Sequence, residues 1–455
     1  MDKNQKEKRI KKKARKISQT VTIFGAGFVV KPMVDYLAKN GFNIIIADKI
    51  LSKAKDLAAP HPNATAYQFL VDDEKTMEEF IRKSDIVVSL LPADKHVSVA
   101  LGCIKHKTNM VSTSYISPEM KELNDAARKA GIIILNEIGV DPGIDHMSAM
   151  KIFHDVEKNG GKITSFMSYC GGLPALEANT NPMGYKFSWS PKGVLRAARN
   201  DARYLLDGNI VKIEGKNLFQ DYQIVEVDGC STFEAYPNRD SLGYIEKYDL
   251  KHVSTMYRGT FRNISHCETW LILSKMGFFT ENTVYKKLDG TIREFILTKL
   301  LGLTPNDDIK KTIMDRFDLN ASSVILRKFK WLGFFDNTAI PISSGAPIDV
   351  LTEIMLQKMP FKEGERDMLV LHHRFTAEYP DKTQIITSTM IDHGIASGDS
   401  SMSRTVSLPA AIGVRLILEN KILSKGVSMP ILPEIYLPVL SELDNLGIRL
   451  EERYF

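Results

Sequence analysis

The sequence predicts an α/β protein whose first part is a doubly wound parallel sheet. Three observations predict it. A β-branched and aromatic run, Thr20-Val21-Thr22-Ile23-Phe24, leads directly into Gly25-Ala26-Gly27. Apolar residues at helical spacing follow from Phe28 to Lys39. A second apolar run, Asn43-Ile44-Ile45-Ile46-Ala47, ends in Asp48, twenty-one residues after Gly27. Strand, glycine turn, helix, strand and acid, in that order, form the layout of a dinucleotide-binding βαβ unit.

Each part of that unit has a physical role. Gly25 permits the tight turn and Gly27 lets the backbone approach a pyrophosphate. Ala26, Phe28 and Val29 carry the turn into a helix whose free N–H groups and positive dipole end suit phosphates. A third glycine is absent, because Val30 stands in its place. Pro32 falls in the first helical turn, where the missing N–H costs nothing. The plainer alternative is an α/β domain that uses its glycines only to turn. Asp48 is placed to bond a ribose 2′-OH, whereas Lys49 suits a 2′-phosphate. This reading favours NAD, with NADP as the alternative.

The strand pattern continues at Thr65 to Val71, Asp85 to Pro92, Asn109 to Ser114 and Ile132 to Asn136. Helical stretches lie between them, Pro118 to Ala130 included. Strands alternating with helices imply a parallel sheet. Ligands of such sheets sit beyond the carboxyl ends of the strands. Leu91-Pro92, Ser114-Tyr115 and Glu137 to His146 are therefore expected at one crevice. The last segment holds three acids and a histidine, residue types suited to acid/base work. Asp141 and Asp145 are also good helix-capping types. The position of Asp141 favours function, and Asp145 stays open between the two.

Length and composition fit two or three globular domains. The formal charge of +5 is concentrated at the start. Residues 1–16 hold nine Lys/Arg and two Asp/Glu, which leaves 51 basic and 53 acidic residues elsewhere. A nearly neutral body argues against a nucleic-acid partner. The basic segment, residues 1–19, reads as a solvated, disordered tail. It lacks the apolar stretch of a secretion signal. No run of eighteen apolar residues exists, so no membrane span is expected. Cys103, Cys170, Cys230 and Cys267 have no metal-ligand spacing and fit a reducing cytoplasm; no metal is expected.

Beyond about residue 150 the pattern changes. Ile163 to Tyr169 and Ile210 to Ile213 read as strands, and Met368 to Tyr379 with Gln384 to Asp392 as paired strands. Residues 266–340 are helical by period. Ser407 to Glu419 reads as an amphipathic helix, and Pro430, Pro433 and Pro438 predict irregular chain after it. Four dense segments are expected as pocket-shaping loops: Tyr169 to Ala175, Asn181 to Ser190, Tyr236 to Ser241 and Arg258 to Arg262. Their arginines can fork onto carboxylates, although any one of them alone reads as a surface or interdomain ion pair.

These segments resemble saccharopine dehydrogenases of the glutamate-forming type, the saccharopine reductase family. The similar stretches are Gly25-Ala26-Gly27-Phe28-Val29, Ser89-Leu90-Leu91-Pro92, Ser114 to Pro118, Asn136 to His146, the four dense segments and Ser407 to Gly413. The resemblance spans nearly all of residues 20–450. It implies oxidation of the secondary amine of saccharopine to an imine with a nicotinamide cofactor. Water then splits the imine into glutamate and α-aminoadipate semialdehyde. It implies Tyr115, Asp141 and Cys170 at the reaction centre. It places Tyr115, Asp141, Gly171, Ser188, Asn238, Arg239 and Arg258 at the substrate, and Leu90, Leu91 and Pro92 with the glycine turn at the cofactor. Many relatives carry an aromatic after the Leu-Leu-Pro turn, where this chain has Ala93-Asp94.

The resemblance also implies an architecture: a Rossmann domain (20–146), an α/β substrate and dimerisation domain (147–265 and 341–405) and a helical insertion (266–340). Residues 406–455 are expected to pack back toward the Rossmann domain. A homodimer follows from the resemblance alone. Two other readings remain. A related amine-forming reductase, such as carboxynorspermidine dehydrogenase, needs fewer cationic contacts than a tricarboxylate substrate. A non-enzymatic NAD(P)-binding regulator would not need so many polar loops.

Overall fold

The computed structural model describes residues 19–455; the expected basic tail lies outside them apart from Gln19. The chain forms two compact units, one through Lys151 together with Ser403–Ile448, the other Ile152–Met402 together with Arg449–Phe455.

The first unit holds strands β1 (Thr20–Phe24), β2 (Asn43–Asp48), β3 (Ala64–Gln68), β4 (Ile86–Ser89), β5 (Asn109–Ser112) and β6 (Ile133–Leu135). A seventh strand, Gly426–Ser428, escaped the sequence reading. The order is Gly426–Ser428, β6, β5, β4, β1, β2, β3, with every neighbour parallel. The order reverses direction at β1, which pairs with both β2 and β4. This is the doubly wound sheet, and its switch point is where such sheets bind ligands. Residues Val21, Ile23, Phe24, Val87, Val88 and Ile134 are fully buried. That explains why these strands read as continuous apolar runs rather than alternating ones.

Two expectations near the C-terminus fail. The segment expected to be irregular forms a helix, Pro433–Asn445. Pro433 opens that helix, where its missing N–H has no helical role, and only Pro438 lies inside it. Ile435, Tyr436, Val439 and Leu443 are buried along its apolar stripe, which outweighs the single lost bond. The end of the chain also differs. Glu451–Tyr454 forms an edge strand of the second unit's sheet, pairing antiparallel with Thr383–His393.

The second unit is built on a mixed sheet. Its central strand, Lys162–Pro174, pairs parallel with Thr255–Arg262 and antiparallel with Asp367–Glu378. Two of the expected loops, Tyr169 to Ala175 and Arg258 to Arg262, are therefore mostly strand. Gly171 belongs there because a Cβ would stand 2.7 Å from both the Cβ and the carbonyl oxygen of Phe261. Glycine disfavours strands locally, but here the close approach of the neighbouring strand requires it. One face of the sheet is apolar, with Tyr169, Leu173, Phe233, Tyr257 and Phe261 in one core cluster. Burial of each such ring contributes ~2–3 kcal/mol. The helical segment holds His266–Lys275, Ile292–Phe295, Ile309–Arg316 and Val324–Leu332. Trp270, Phe278, Phe295, Phe329 and Phe334 fill its core.

Candidate active site

In the first unit, Gly25 has φ +108°, and a Cβ there would lie 2.9 Å from the carbonyl oxygen of Leu90. The glycine turn after β1 and the Leu90-Leu91-Pro92 turn after β4 therefore adjoin. At Gly27 nothing lies within 4 Å of where a Cβ would stand. That open face, ahead of the helix Lys31–Lys39, fits a phosphate approach. Phe28 beside it is 68% exposed.

Asp48 has a role the sequence reading did not anticipate. Its Oδ2 accepts the N–H of Ala26 at 2.7 Å and its Oδ1 accepts the N–H of Ile50 at 2.7 Å. The carboxylate thus ties the end of β2 to the glycine turn. Lys49 beside it is exposed.

The chain beyond β5 and the chain beyond β6 meet at Tyr115 and Asp141. The Tyr115 hydroxyl donates to Asp141 Oδ1 at 2.9 Å, and both residues are partly exposed. Asp145 instead organises its own turn, accepting the N–H groups of Gly143 and His146.

In the second unit, strand register decides which side chains share a face. Arg258 stands opposite Ser168, and Thr260 opposite Cys170. Residues two apart on a strand, and residues paired across strands, point the same way. Ser168, Cys170, Arg258 and Thr260 therefore share the face opposite the apolar cluster. Ser188 reaches that face too, its Oγ lying 3.8 Å from the Cβ position of Gly172. The turn after strand Ser231–Pro237 is pinned to Arg258: the Asn238 N–H donates to the Arg258 carbonyl at 2.7 Å, and the Arg258 N–H donates to Ser241 Oγ at 3.2 Å. The backbones of Asn238 and Arg258 thus adjoin, with Arg239 next in the chain. Arg239 is exposed with φ +56°, an uncommon conformation for arginine. The Arg258 guanidinium lies 4.8 Å from the ring centre of Tyr244. Gly171, paired with Val370 and close to Phe261, is buried within the sheet.

A family model described as the saccharopine dehydrogenase NADP binding domain matches residues 21–135, and one described as the saccharopine dehydrogenase C-terminal domain matches residues 139–448. The chain belongs to the saccharopine dehydrogenase family. It is 38% identical to the saccharopine dehydrogenase [NADP(+), L-glutamate-forming] of Schizosaccharomyces pombe, over 95% of this chain and 98% of that protein. The Saccharomyces cerevisiae protein of the same name is also 38% identical, over 96% of this chain and 99% of its own length. A solved structure, the apo histidine-tagged saccharopine dehydrogenase (L-Glu forming) from Saccharomyces cerevisiae, superimposes with a TM-score of 0.86 at 36% identity. It covers 96% of this chain and 100% of that one.

One buried residue of this saccharopine dehydrogenase family member was not singled out by sequence. His96 Nδ1 lies 2.8 Å from Ser89 Oγ, and its Nε2 lies 2.8 Å from Ser114 Oγ. It bridges the end of β4 to the chain beyond β5. A lone histidine at a helix start carries no sequence signal of this. Burial holds the imidazole down at about 4, opposed only by the Asp94 charge. The unfolded chain therefore binds a proton near pH 6.5 that the folded chain refuses until about pH 4. Stability from neutral His96 is complete above pH 6.5 and is lost as pH falls to 4, a change of about 3 kcal/mol. Urea unfolding of the wild type should lose that much more stability than His96→Asn across this interval; parallel curves would contradict it.

Proposed function

We propose that this chain oxidises saccharopine with a nicotinamide cofactor, releasing glutamate and α-aminoadipate semialdehyde, or runs the reverse condensation. The reading rests on one observation above the others. Fungal enzymes of that name are matched over 98–99% of their length. The chemistry of the site supports it. Saccharopine carries three carboxylates, and arginine guanidiniums such as those of Arg239 and Arg258 suit them. Glutamate leaves only if the imine forms at the carbon derived from the lysine side chain; oxidation at the glutarate carbon would release lysine instead.

The glycine turn, with its open face at Gly27 and the adjoining Leu90-Leu91-Pro92, would hold the cofactor. A nicotinamide held there would supply the hydride acceptor for oxidation of the carbon beside the secondary amine. Asp141 supplies a fixed negative charge suited to a cationic imine, with its Oδ1 oriented by the Tyr115 hydroxyl. The role of Cys170 is one of lining and not of covalent attack, since the reaction needs no nucleophile on the protein.

NADP is the proposed cofactor, which reverses the preference for NAD drawn from Asp48. The fungal relatives are named for NADP. Both Asp48 oxygens already serve backbone amides, and the exposed Lys49 next to it suits a 2′-phosphate. Lys49→Ala should raise KM for NADP ~10-fold, the worth of one charge-assisted bond, and leave NAD within ~2-fold. Faster turnover with NAD than with NADP would contradict this choice. The four cysteines, all free thiols, support a reducing cytoplasm, and a homodimer completes the proposal. The direct test is cofactor reduction with saccharopine against carboxynorspermidine; a preference for the latter would move the chain to the amine-forming reductase reading.

A further inference from the structure

Tyr115 sits between two residues that are both bound by Glu137. The Glu137 N–H donates to the carbonyl of Ser114 at 3.1 Å. Its carboxylate Oε1 accepts the N–H of Ile116 at 3.0 Å. The other oxygen, Oε2, lies 2.9 Å from His146 Nε2, and both side chains are almost fully buried. A buried carboxyl group is costly unless hydrogen-bonded, and both oxygens of this one have partners. Glu137 also holds φ +56°. A strained backbone at a buried residue is retained only where the surrounding structure over-determines it, and such residues cluster at active sites. On the far side of the same loop, His96 binds Ser114 Oγ.

We infer that Glu137, backed by His146, is a positioning residue that sets the Tyr115 hydroxyl against Asp141. The inference rests on the reading of Tyr115 and Asp141 given above. Glu137 acts through the backbone on either side of Tyr115, so it needs no contact with substrate. Displacing a reacting group by about 1 Å is enough to cost on the order of 100-fold in rate. The Glu137 carboxylate and its His146 partner fix the loop to the start of the helix Ile144–Lys158, which makes the tyrosine as immobile as the fold beneath it.

The test is a double-mutant cycle on the full chain, read as kcat and KM with saccharopine and cofactor. Tyr115→Phe should lower kcat at least ~10-fold. Glu137→Ala should lower kcat ~10–100-fold with the cofactor KM within ~3-fold. Glu137→Gln should restore kcat to within ~3-fold, because the amide oxygen still accepts the Ile116 N–H. In the Tyr115→Phe background, Glu137→Ala should cost no more than ~2-fold, since the group it positions is gone. Equal losses with and without the tyrosine hydroxyl would overturn the inference while leaving Tyr115 its role. An unchanged kcat in Tyr115→Phe would instead remove the reading of Tyr115, and the inference with it. If Glu137→Ala does not fold, His146→Gln carries the same cycle with a smaller expected loss, ~3–10-fold, and additivity there also overturns the inference.

Discussion

Asp141→Ala is expected to lower turnover at least ~10-fold while the protein stays folded. Asp141 is the carboxylate that receives the Tyr115 hydroxyl at 2.9 Å, on the chain just beyond β6. It is partly exposed, so truncation leaves no large cavity. What is lost is a fixed negative charge, and with it the partner that orients the tyrosine. A charge that is already in place stabilises a developing cation without reorganisation, which is why its removal should act on kcat more than on KM. Asp141→Asn should fall between the two, because the amide oxygen still accepts the hydroxyl but carries no charge. Saturating-substrate kinetics beside a circular dichroism control would decide it. Unchanged turnover in a folded Asp141→Ala protein would remove the assigned role.

Arg239→Ala is expected to raise KM for saccharopine ~10–100-fold, the equivalent of one or two charge-assisted bonds to a carboxylate. Arg239 is exposed, so its loss should change unfolding stability by no more than ~0.5 kcal/mol. Its left-handed backbone follows the pinning of Asn238 to the Arg258 carbonyl, which fixes the turn whatever residue stands at 239. Arg239→Lys should recover only part of the affinity, since an ammonium lacks the planar fork. A KM within ~2-fold of wild type would place Arg239 outside the substrate site.

The first unit was legible because its signals are local. Thr20–Phe24 is strand by its β-branched residues, and the turn at Gly25 needs a positive φ that glycine supplies at no cost. The second unit was less legible because its strands are kept by distant neighbours. Tyr169 to Ala175 reads as a loop by its paired glycines, yet the neighbouring strand at Phe261 closes on Gly171 and leaves no room for a side chain there. Pro438 reads as a helix breaker, but burial along one stripe of Pro433–Asn445 overrides it. The three-residue strand Gly426–Ser428 is too short to leave a period at all.

The candidate site divides the same way. Asp141, Cys170 and the arginines stand in segments similar to a family, so sequence alone was enough to nominate them. Asp48 was nominated from its spacing, but its bonds to Ala26 and Ile50 come from folding and left no mark in the sequence. His96 was missed, because nothing near it in sequence marks its bridge between Ser89 and Ser114. The Glu137–His146 pair lay inside a segment that sequence had marked as chemical, but its hold on both sides of Tyr115 needed the fold.

This chain is expected to break saccharopine on the side that frees glutamate. Incubating the purified protein with saccharopine and NADP, then measuring amino acids released per cofactor reduced, decides it. The expected result is one glutamate per reduced cofactor. Release of lysine instead, or no cofactor reduction at all, would contradict it.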